Sequence, residues 1–507
     1  MALNNTQYPY SIGDWVDKMI KQPEEEIKED SPIMEYIQTI KTFQTSLQSI
    51  LNFRISSENK PSLAMRRYKI PEELREFYFV YVSKIEGKDL VNIKGEHDQT
   101  KIDHFKKTIE IKGNKIFISD TTTRLIYQQF RQHEEKIEGE RTQDLYLTLL
   151  SLASIFEVLV NKLLEYHLLY VEKGPGSLGE KQIKYSEIYN LESVDIKKKF
   201  ADSFIESIMY KSFDDWIEEF FKICCDKKYD ISRDSYIIPL KKSISEMYQR
   251  RNIIIHNNGI VNQVYKTKVP DTPYELGERI KITDEYLEEL TLKVSIMGNY
   301  MITQHIKNKR MLKNRELYDS LETICLELLN NDRFAETRLI TNILRKKVDF
   351  QEDDTWLSDI EIKRKAVSDF IHRYNYWLSY YLEGLESIPQ RDIQKYINKN
   401  KGKEWFKQDE QIQLGISSLT DSRKEFASKA IRYCREMEQV GKVSLLRTLE
   451  WPMFRLISDE ENFIDYSNET KYNVLVKESE GEITMLNNNN KEMEKNHRIK
   501  TQKNNLF

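Results

Sequence analysis

Residues that interrupt helices are scarce in this sequence. Its 507 residues include only 16 glycines and 11 prolines, while 39% of the residues are hydrophobic. Because glycine and proline are the residues that most disfavour a helix interior, their scarcity predicts a mainly α-helical protein. The length exceeds that of one small domain, and we therefore expect two or three domains.

Cysteine is rarer still, with four in the chain: Cys224, Cys225, Cys325 and Cys434. None of them forms a Cys-x2-Cys pair, and no histidine lies beside them at the spacing of a zinc site. The glycines of the segment 174–179 lack the spacing and the Gly-Lys-Ser/Thr ending of a phosphate-binding loop. The sequence therefore predicts no metal, no cofactor and no P-loop.

Neither a charge of one sign nor an uninterrupted apolar run stands out. Lysine and arginine number 78 against 82 acidic residues, for a net charge of −4, so any contact with RNA must be local. The first residues lack the pattern of a secretion signal. The most apolar stretch, Leu145 to Leu169, contains Glu157, Lys162 and Glu165. These features predict a cytoplasmic protein that does not bind a membrane.

One stretch, Gln249 to Gly259, combines polar residues with three consecutive isoleucines. The preceding residues from Ser243 have apolar side chains at helical spacing, and Asn257-Asn258-Gly259 is typical of a left-handed helix C-cap. We predict a helix that ends just after His256. The isoleucines are expected to lie in a core.

The spacing within this stretch predicts a definite arrangement. Asn252 and His256 are four residues apart and share a helix face, whereas Arg251 is rotated by about 140° from His256. Where two copies of such a helix end meet, two histidines, two arginines and two asparagines could surround one phosphodiester. Histidine would transfer protons, and arginine would neutralise charge on the phosphorus centre.

Arg251-Asn252, followed by three residues and His256, resembles the Arg-polar-x3-His signature of the HEPN (higher eukaryotes and prokaryotes nucleotide-binding) superfamily. The resemblance covers about residues 145 to 307, in which a helix from Ser151 to Leu169 carries the acidic Glu157. It implies a HEPN-like helical bundle and a metal-independent endoribonuclease of bacterial antiviral defence or of a toxin system. The residues that it assigns to the site are Arg251, Asn252 and His256 as catalytic groups, with Glu157 and Asn257 as supporting groups.

The resemblance also implies partners. They are an RNA such as tRNA or mRNA, a second copy of the chain in a homodimer or higher homo-oligomer, and a protein trigger or antitoxin. Glu157 stands among apolar residues, and a carboxylate there needs a partner, for which Arg251 and Arg250 are the candidates. The alternative is that Glu157 points to solvent.

Four regions follow from the whole pattern. They are an N-terminal α+β accessory region (1–140), a HEPN-like helical domain (141–307), a C-terminal α-helical lobe that resembles a degenerate tetratricopeptide array (308–474), and a disordered tail (475–507). In the first region, Phe77–Val82 is predicted to be a strand, and Ile109–Ile118 a hairpin that turns at Gly113-Asn114. Both the accessory region and the C-terminal lobe could bind a partner or serve only as structure.

Helices are predicted at both ends of the chain as well: Ile33–Phe53, Leu317–Leu329, Phe334–Lys346, Ile360–Tyr381, Asp409–Leu419 and Ser422–Gln439, with a terminal capping helix near Trp451–Phe454 and Phe463–Tyr466. The lysines of 197–199 and 241–242 could guide RNA but are more typical of a solvated face. The aromatic residues of 210–221 are more typical of a core than of a base-stacking surface.

Two other functions fit the same residues. The chain could be a non-catalytic helical scaffold in which Arg251 pairs with Glu157 and His256 only caps its helix. It could also be the HEPN partner of a separate nucleotidyltransferase, since it lacks that enzyme's own Gly-Ser motif with paired aspartates.

Overall fold

The protein is described by a computed structural model over residues 31–58, 70–86, 98–112, 115–171, 193–225, 234–307, 315–347, 359–439 and 451–470. Within these ranges the chain is mainly helical, and its one sheet has two strands, which confirms the prediction of a mainly α-helical protein. Contacts between the helices divide the chain into two units, Glu35–His305 and Met1–Met34 with Ile306–Phe507. The predicted disordered tail and the segment 174–179 lie outside the described residues.

The first part of the chain up to Ile306 contains nine described helices and the hairpin. In chain order these are α1 (Pro32–Glu58), a 3-10 turn (Glu72–Leu74), α2 (Arg75–Glu86), α3 (Gln99–Thr108), β1 (Ile109–Lys112), β2 (Lys115–Ile118), α4 (Thr121–Tyr166), a π turn (His167–Val171), α5 (Ser193–Met209), α6 (Phe213–Cys224), α7 (Ile237–Asn257), α8 (Gln263–Lys268) and α9 (Asp284–Ile306).

Helix α4 is the centre of the unit Glu35–His305 and packs against α5, α6 and α7. In its second half, the fully buried side chains are Leu149, Leu152, Ala153, Phe156, Leu159, Val160, Leu163 and Leu164. With its π turn, α4 is the one helix of the described residues with the length and hydropathy of a membrane span, reaching a mean hydropathy of 1.7 over 18 residues. Because a buried core helix has the same properties, this hydropathy does not by itself indicate a membrane protein.

A glycine allows α9 to approach α1 and α4 closely. A Cβ atom added to Gly298 would lie 2.3 Å from Cζ of Phe43 on α1 and 2.9 Å from Cδ2 of Leu159 on α4. One residue further along α9, Asn299 accepts a 2.7 Å hydrogen bond from the side-chain amide of Gln44. The three helices therefore meet at a place where no larger side chain fits.

Of the two β elements predicted in the N-terminal region, one is confirmed. The hairpin is present, with Ile109 paired to Ile118 and Lys112 to Lys115, and its two turn residues lie outside the described residues. The strand predicted at Phe77–Val82 is wrong, because these residues belong to α2. Phe77, Tyr78, Phe79, Val80 and Val82 are all buried. An apolar run with no period fits a helix buried on nearly every side as well as it fits a strand.

The regular elements described from Arg315 onward are all helices, and they include the five helices predicted there. These elements are α10 (Arg315–Asn330), α11 (Phe334–Lys347), α12 (Asp359–Leu382), α13 (Gln390–Asn400), α14 (Glu404–Gln408), α15 (Glu410–Thr420), α16 (Arg423–Gln439), a 3-10 helix (Pro452–Ile457) and α17 (461–470). In one core cluster, Phe454, Ile457, Phe463 and Tyr466 pack against α15 and α16, as a capping element would.

Candidate active site

The end of α7 has the predicted geometry. The helix runs from Ile237 to Asn257, and Asn258 follows in the left-handed conformation with φ 51° and ψ 34°. The backbone N–H groups of Asn258 and Gly259 both donate to the carbonyl of Ile253. His256 therefore lies in the last turn, and the predicted C-cap is confirmed.

Tertiary contacts hold this end of the helix in place. The hydroxyl of Tyr146 on α4 donates to the carbonyl of Ile280 at 3.1 Å, and the Ile280 N–H donates to the carbonyl of Gly259 at 2.9 Å. Gly259 has φ 75°, and a Cβ atom there would lie 2.8 Å from the Tyr146 hydroxyl. The side-chain amide of Asn257 donates to the carbonyl of Ile260 at 2.6 Å. Asn257 thus stabilises the turn that follows His256.

The three residues predicted to be catalytic all lie at the surface of this helix end. His256 is exposed, and within the described residues it has no hydrogen-bond or ion-pair partner. Arg251 and Asn252 are half-buried, and Nη1 of Arg251 donates to Oδ1 of Asn252 at 3.3 Å. The structure joins the arginine to the asparagine, while the imidazole remains available to a ligand.

The expectation that the three isoleucines enter a core is correct for one of them. Ile253 is buried, Ile254 is half-buried and Ile255 is 48% exposed. Three consecutive residues span about 200° of a helix and cannot all face the same side. The buried face of α7 instead passes through Ile244 and Met247. Ile255 consequently presents an apolar side chain to solvent beside His256.

The sequence left two alternatives for Glu157, pairing with an arginine or pointing to solvent, and the structure matches neither of them fully. The side chain is half-buried on α4, and no arginine lies within ion-pair distance of it among the described residues. Burial raises the pKa of Glu157, and the nearby positive charge of Arg251 lowers it. Burial, with the charge of Glu157 adding to it, also holds the pKa of Tyr248 well above its usual value. Glu157 and Arg251 therefore interact electrostatically without forming a direct ion pair.

Arg250 is not the partner of Glu157, which corrects one of the two candidate pairings. Its side chain is buried and donates from Nη2 to Oε1 of Glu246 at 2.6 Å and from Nη1 to the carbonyl of Lys281 at 3.3 Å. The guanidinium also lies 4.1 Å from the centre of the Tyr286 ring. Arg250 therefore fastens α7 to the beginning of α9, while the neighbouring Arg251 faces the candidate site.

A second arginine near the helix end could not be found from the motif. Arg279 is exposed, and it forms an isolated antiparallel β-bridge with Ile260, two residues after the cap. It is close enough to Tyr146 that its charge lowers the tyrosine pKa, which burial raises. Since Arg279 reaches this place through tertiary structure, no local spacing signals it.

Most side chains of the lysine clusters (197–199 and 241–242) and of the aromatic segment (210–221) form ion pairs or are buried in the core. Three of the five lysines form ion pairs with carboxylates: Lys198 with Glu165 (3.9 Å), Lys241 with Glu218 (2.7 Å) and Lys242 with Asp271 (2.8 Å). On α6, Phe213, Trp216, Phe220 and Phe221 are buried, whereas Tyr210, before the helix, is 82% exposed. These ion pairs weaken the case for a continuous phosphate-binding surface, and the buried rings cannot stack on bases.

The same unit contains a group of metal-ligand side chains that the sequence analysis missed. His167, Cys224 and His305 are buried, and one ligand atom from each lies within 4.8 Å of the others. They are the only such group within the described residues. Because each comes from a different helical element, they lack the short spacings by which zinc sites are recognised in a sequence.

No protein-family model, curated protein or solved structure matches this chain. Its motif and the geometry of the α7 end therefore carry the functional proposal.

Proposed function

We propose that this protein is a HEPN-type endoribonuclease that cleaves RNA without a metal ion, in bacterial antiviral defence or as a toxin. The observation that supports this most is the exposed imidazole of His256, on the last turn of a helix that also carries Arg251 and Asn252. An accessible proton-transfer group beside a permanent positive charge is what phosphodiester cleavage by an internal nucleophile requires.

In this mechanism the ribose 2′-oxygen attacks the adjacent phosphorus. Its proton passes to His256, the bond from the 2′-oxygen to phosphorus forms, and the bond from phosphorus to the 5′-oxygen breaks. Arg251 neutralises the nonbridging oxygens, and Asn252 donates to the phosphate or orients His256. The 5′-oxygen leaves with a proton donated by a second, protonated imidazole. The products are a 2′,3′-cyclic phosphate and a 5′-hydroxyl, and DNA is not a substrate.

Two proton transfers are best served by two imidazoles, and each chain offers one at this place. We therefore propose that a second copy completes the site. Ile255, which is adjacent to His256, is an exposed apolar side chain suited to such a contact, and α4 also exposes Leu147 (58%) and Val158 (55%) on one of its faces. A homodimer formed around Ile255 would bring two α7 ends together.

The dimer is tested with Ile255→Asp, which places a charge in the proposed contact. Sedimentation should show a shift from dimer to monomer, and the ribonuclease activity should fall with it. The matched control is Leu125→Asp. Leu125 is also an exposed apolar residue (57%), but it lies on α4, roughly 30 Å along that helix from Leu147. An Ile255→Asp protein that remains a fully active dimer would contradict this contact.

The activity is tested on total RNA with EDTA added at the start of the assay. Wild type should degrade the RNA, and His256→Ala and Arg251→Ala should not. His104→Ala is the control, because it removes another exposed imidazole of the same unit that lies outside the α7 end. Equal degradation by wild type and His256→Ala would exclude the proposed role of His256.

A non-catalytic helical scaffold is the second candidate, and the electrostatic interaction of Arg251 with Glu157 favours it. In a scaffold, Arg251 would compensate a half-buried carboxylate and His256 would have no chemical role. Expression in a bacterial host distinguishes the two. Growth arrest that disappears in His256→Ala supports the nuclease, whereas growth that does not depend on His256 supports the scaffold.

A further inference from the structure

Three buried side chains of ligand type meet where three helical elements end. His167 is the first residue of the π turn after α4, Cys224 is the last residue of α6, and His305 lies in the last turn of α9. Their exposed fractions are 5%, 3% and 0%. One ligand atom from each lies within 4.8 Å of the other two.

The separations are close to those of a coordination sphere. Nδ1 of His167 and Nε2 of His305 are 3.1 Å apart. On a tetrahedral zinc ion with bonds of about 2.0–2.1 Å to nitrogen and about 2.3 Å to sulfur, two nitrogen ligands are about 3.3 Å apart, and a nitrogen and a sulfur about 3.6 Å. Small side-chain movements would therefore bring Cys224 to bonding distance.

The surroundings of His305 are those of a metal ligand. Its second ring nitrogen, Nδ1, is 2.9 Å from the hydroxyl of the buried Tyr36. With Nε2 bound to a metal, Nδ1 carries the hydrogen and donates to the tyrosine oxygen, and such a bond fixes the ring of a ligating histidine.

The backbone at His167 is also unusual. The π turn His167–Val171 directly follows the regular helix and begins at the residue that faces His305. π-Helical hydrogen bonding is rare in proteins.

We propose that His167, Cys224 and His305 bind one zinc ion, which fastens the end of α4 to α6 and α9. A water molecule would complete the tetrahedron. Zinc accepts imidazole and thiolate ligands, and the burial of all three side chains separates the ion from any external substrate. We therefore assign the ion a structural role. The ion would lie roughly 30 Å along α4 from Tyr146, which contacts the α7 end. The zinc site therefore does not depend on the proposed ribonuclease activity.

The first test is the metal content of the full-length protein after purification and incubation with zinc. Inductively coupled plasma mass spectrometry should find about one zinc per wild-type chain and less than about a tenth of that in Cys224→Ser. Cys225→Ser is the matched control and should keep its zinc, because the adjacent cysteine is not in the cluster. A metal-free wild type, zinc retained in Cys224→Ser, or copper in place of zinc would overturn the proposal.

The second test does not depend on Cys224→Ser folding. Cobalt added to metal-depleted wild type should produce a saturable thiolate-to-cobalt absorption band together with the strong visible absorption of tetrahedral cobalt. Tyr36→Phe keeps the ring but removes the hydroxyl next to His305, and it should weaken cobalt binding about tenfold or more. Absence of the thiolate band in wild type would overturn the proposal, as would unchanged affinity in Tyr36→Phe.

Discussion

His256 and His305 belong to the same helical unit, and their surroundings differ in almost every respect. His256 lies in the last turn of α7, exposed and without a partner among the described residues. His305 lies in the last turn of α9, fully buried, with its ring nitrogens 2.9 Å from Tyr36 and 3.1 Å from His167. One imidazole is available to an external substrate, whereas the other is available only to a small ion.

This difference shows that position at a helix end does not by itself give a histidine its role. The neighbouring elements decide it, because they either leave the ring in solvent or surround it with other ligands. A change at the α7 end should therefore reduce activity and leave stability intact. A change in the buried interior of the same unit should reduce stability first.

His256→Ala should produce the largest effect. Loss of the proton-transfer group should lower the rate of RNA cleavage by about 10² to 10⁴-fold. The melting temperature should stay the same, because the side chain is exposed and unpartnered within the described residues. Cleavage rate and thermal unfolding are measured on the same preparation. A lower melting temperature would mean that His256 also supports the fold.

Arg250→Ala and Arg251→Ala should separate the interior from the surface at adjacent positions. Removing Arg250 leaves Glu246 without its buried partner and should lower the free energy of unfolding by about 3 kcal/mol. Removing the half-buried Arg251 should cost less than about 1 kcal/mol but abolish cleavage. Urea unfolding and the cleavage assay measure the two effects. Equal losses of stability would remove the distinction between the two arginines.

Gly298→Ala tests the packing of the interior directly. The new methyl group would overlap Phe43 and Leu159, and it should lower the free energy of unfolding by about 1–3 kcal/mol. Gly139→Ala is the control, because that glycine is in α4 with no atom within 4 Å of an added Cβ. It should stabilise the protein by about 0.5–1 kcal/mol. A stabilising effect of Gly298→Ala would contradict the close approach of α9 to α1 and α4.

Glu157→Gln should have the smallest effect, since the side chain lies between surface and interior. Burial raises the pKa of Glu157, so the folded protein binds this proton more tightly than the unfolded chain does. The resulting stabilisation is present at acid pH and is lost as the pH rises through the folded pKa. As the pH rises above the ordinary glutamate pKa of about 4.3, the glutamine variant should therefore lose less stability than wild type. Parallel profiles of melting temperature against pH would show that Glu157 does not contribute.

Local patterns predicted the parts of the site that are encoded locally. Asn257-Asn258-Gly259 predicted a left-handed helix C-cap, and the cap forms at Asn258. The hairpin at Ile109–Ile118 has the predicted pairing. In both cases short-range backbone preferences agree with the tertiary structure, so the sequence signal is sufficient.

The features that the sequence did not predict depend on tertiary contacts. The run at Phe77–Val82 has the composition of a strand, but neighbours bury almost every side of the helix that it forms. Ile255 is apolar and still points to solvent, because Ile253 already occupies the buried side of α7. Arg279 and the cluster of His167, Cys224 and His305 depend on contacts between distant segments, for which the chain carries no local pattern.

The central claim is that the α7 end cleaves RNA through the 2′-hydroxyl, and a matched pair of substrates tests it most directly. One oligonucleotide is RNA, and the other has the same sequence with every 2′-oxygen methylated. With EDTA present, wild type should cut only the unmodified RNA, and mass spectrometry should show 2′,3′-cyclic phosphate ends that are absent with His256→Ala. Cleavage of the methylated strand at a similar rate, or unchanged cleavage of the RNA by His256→Ala, would contradict the claim.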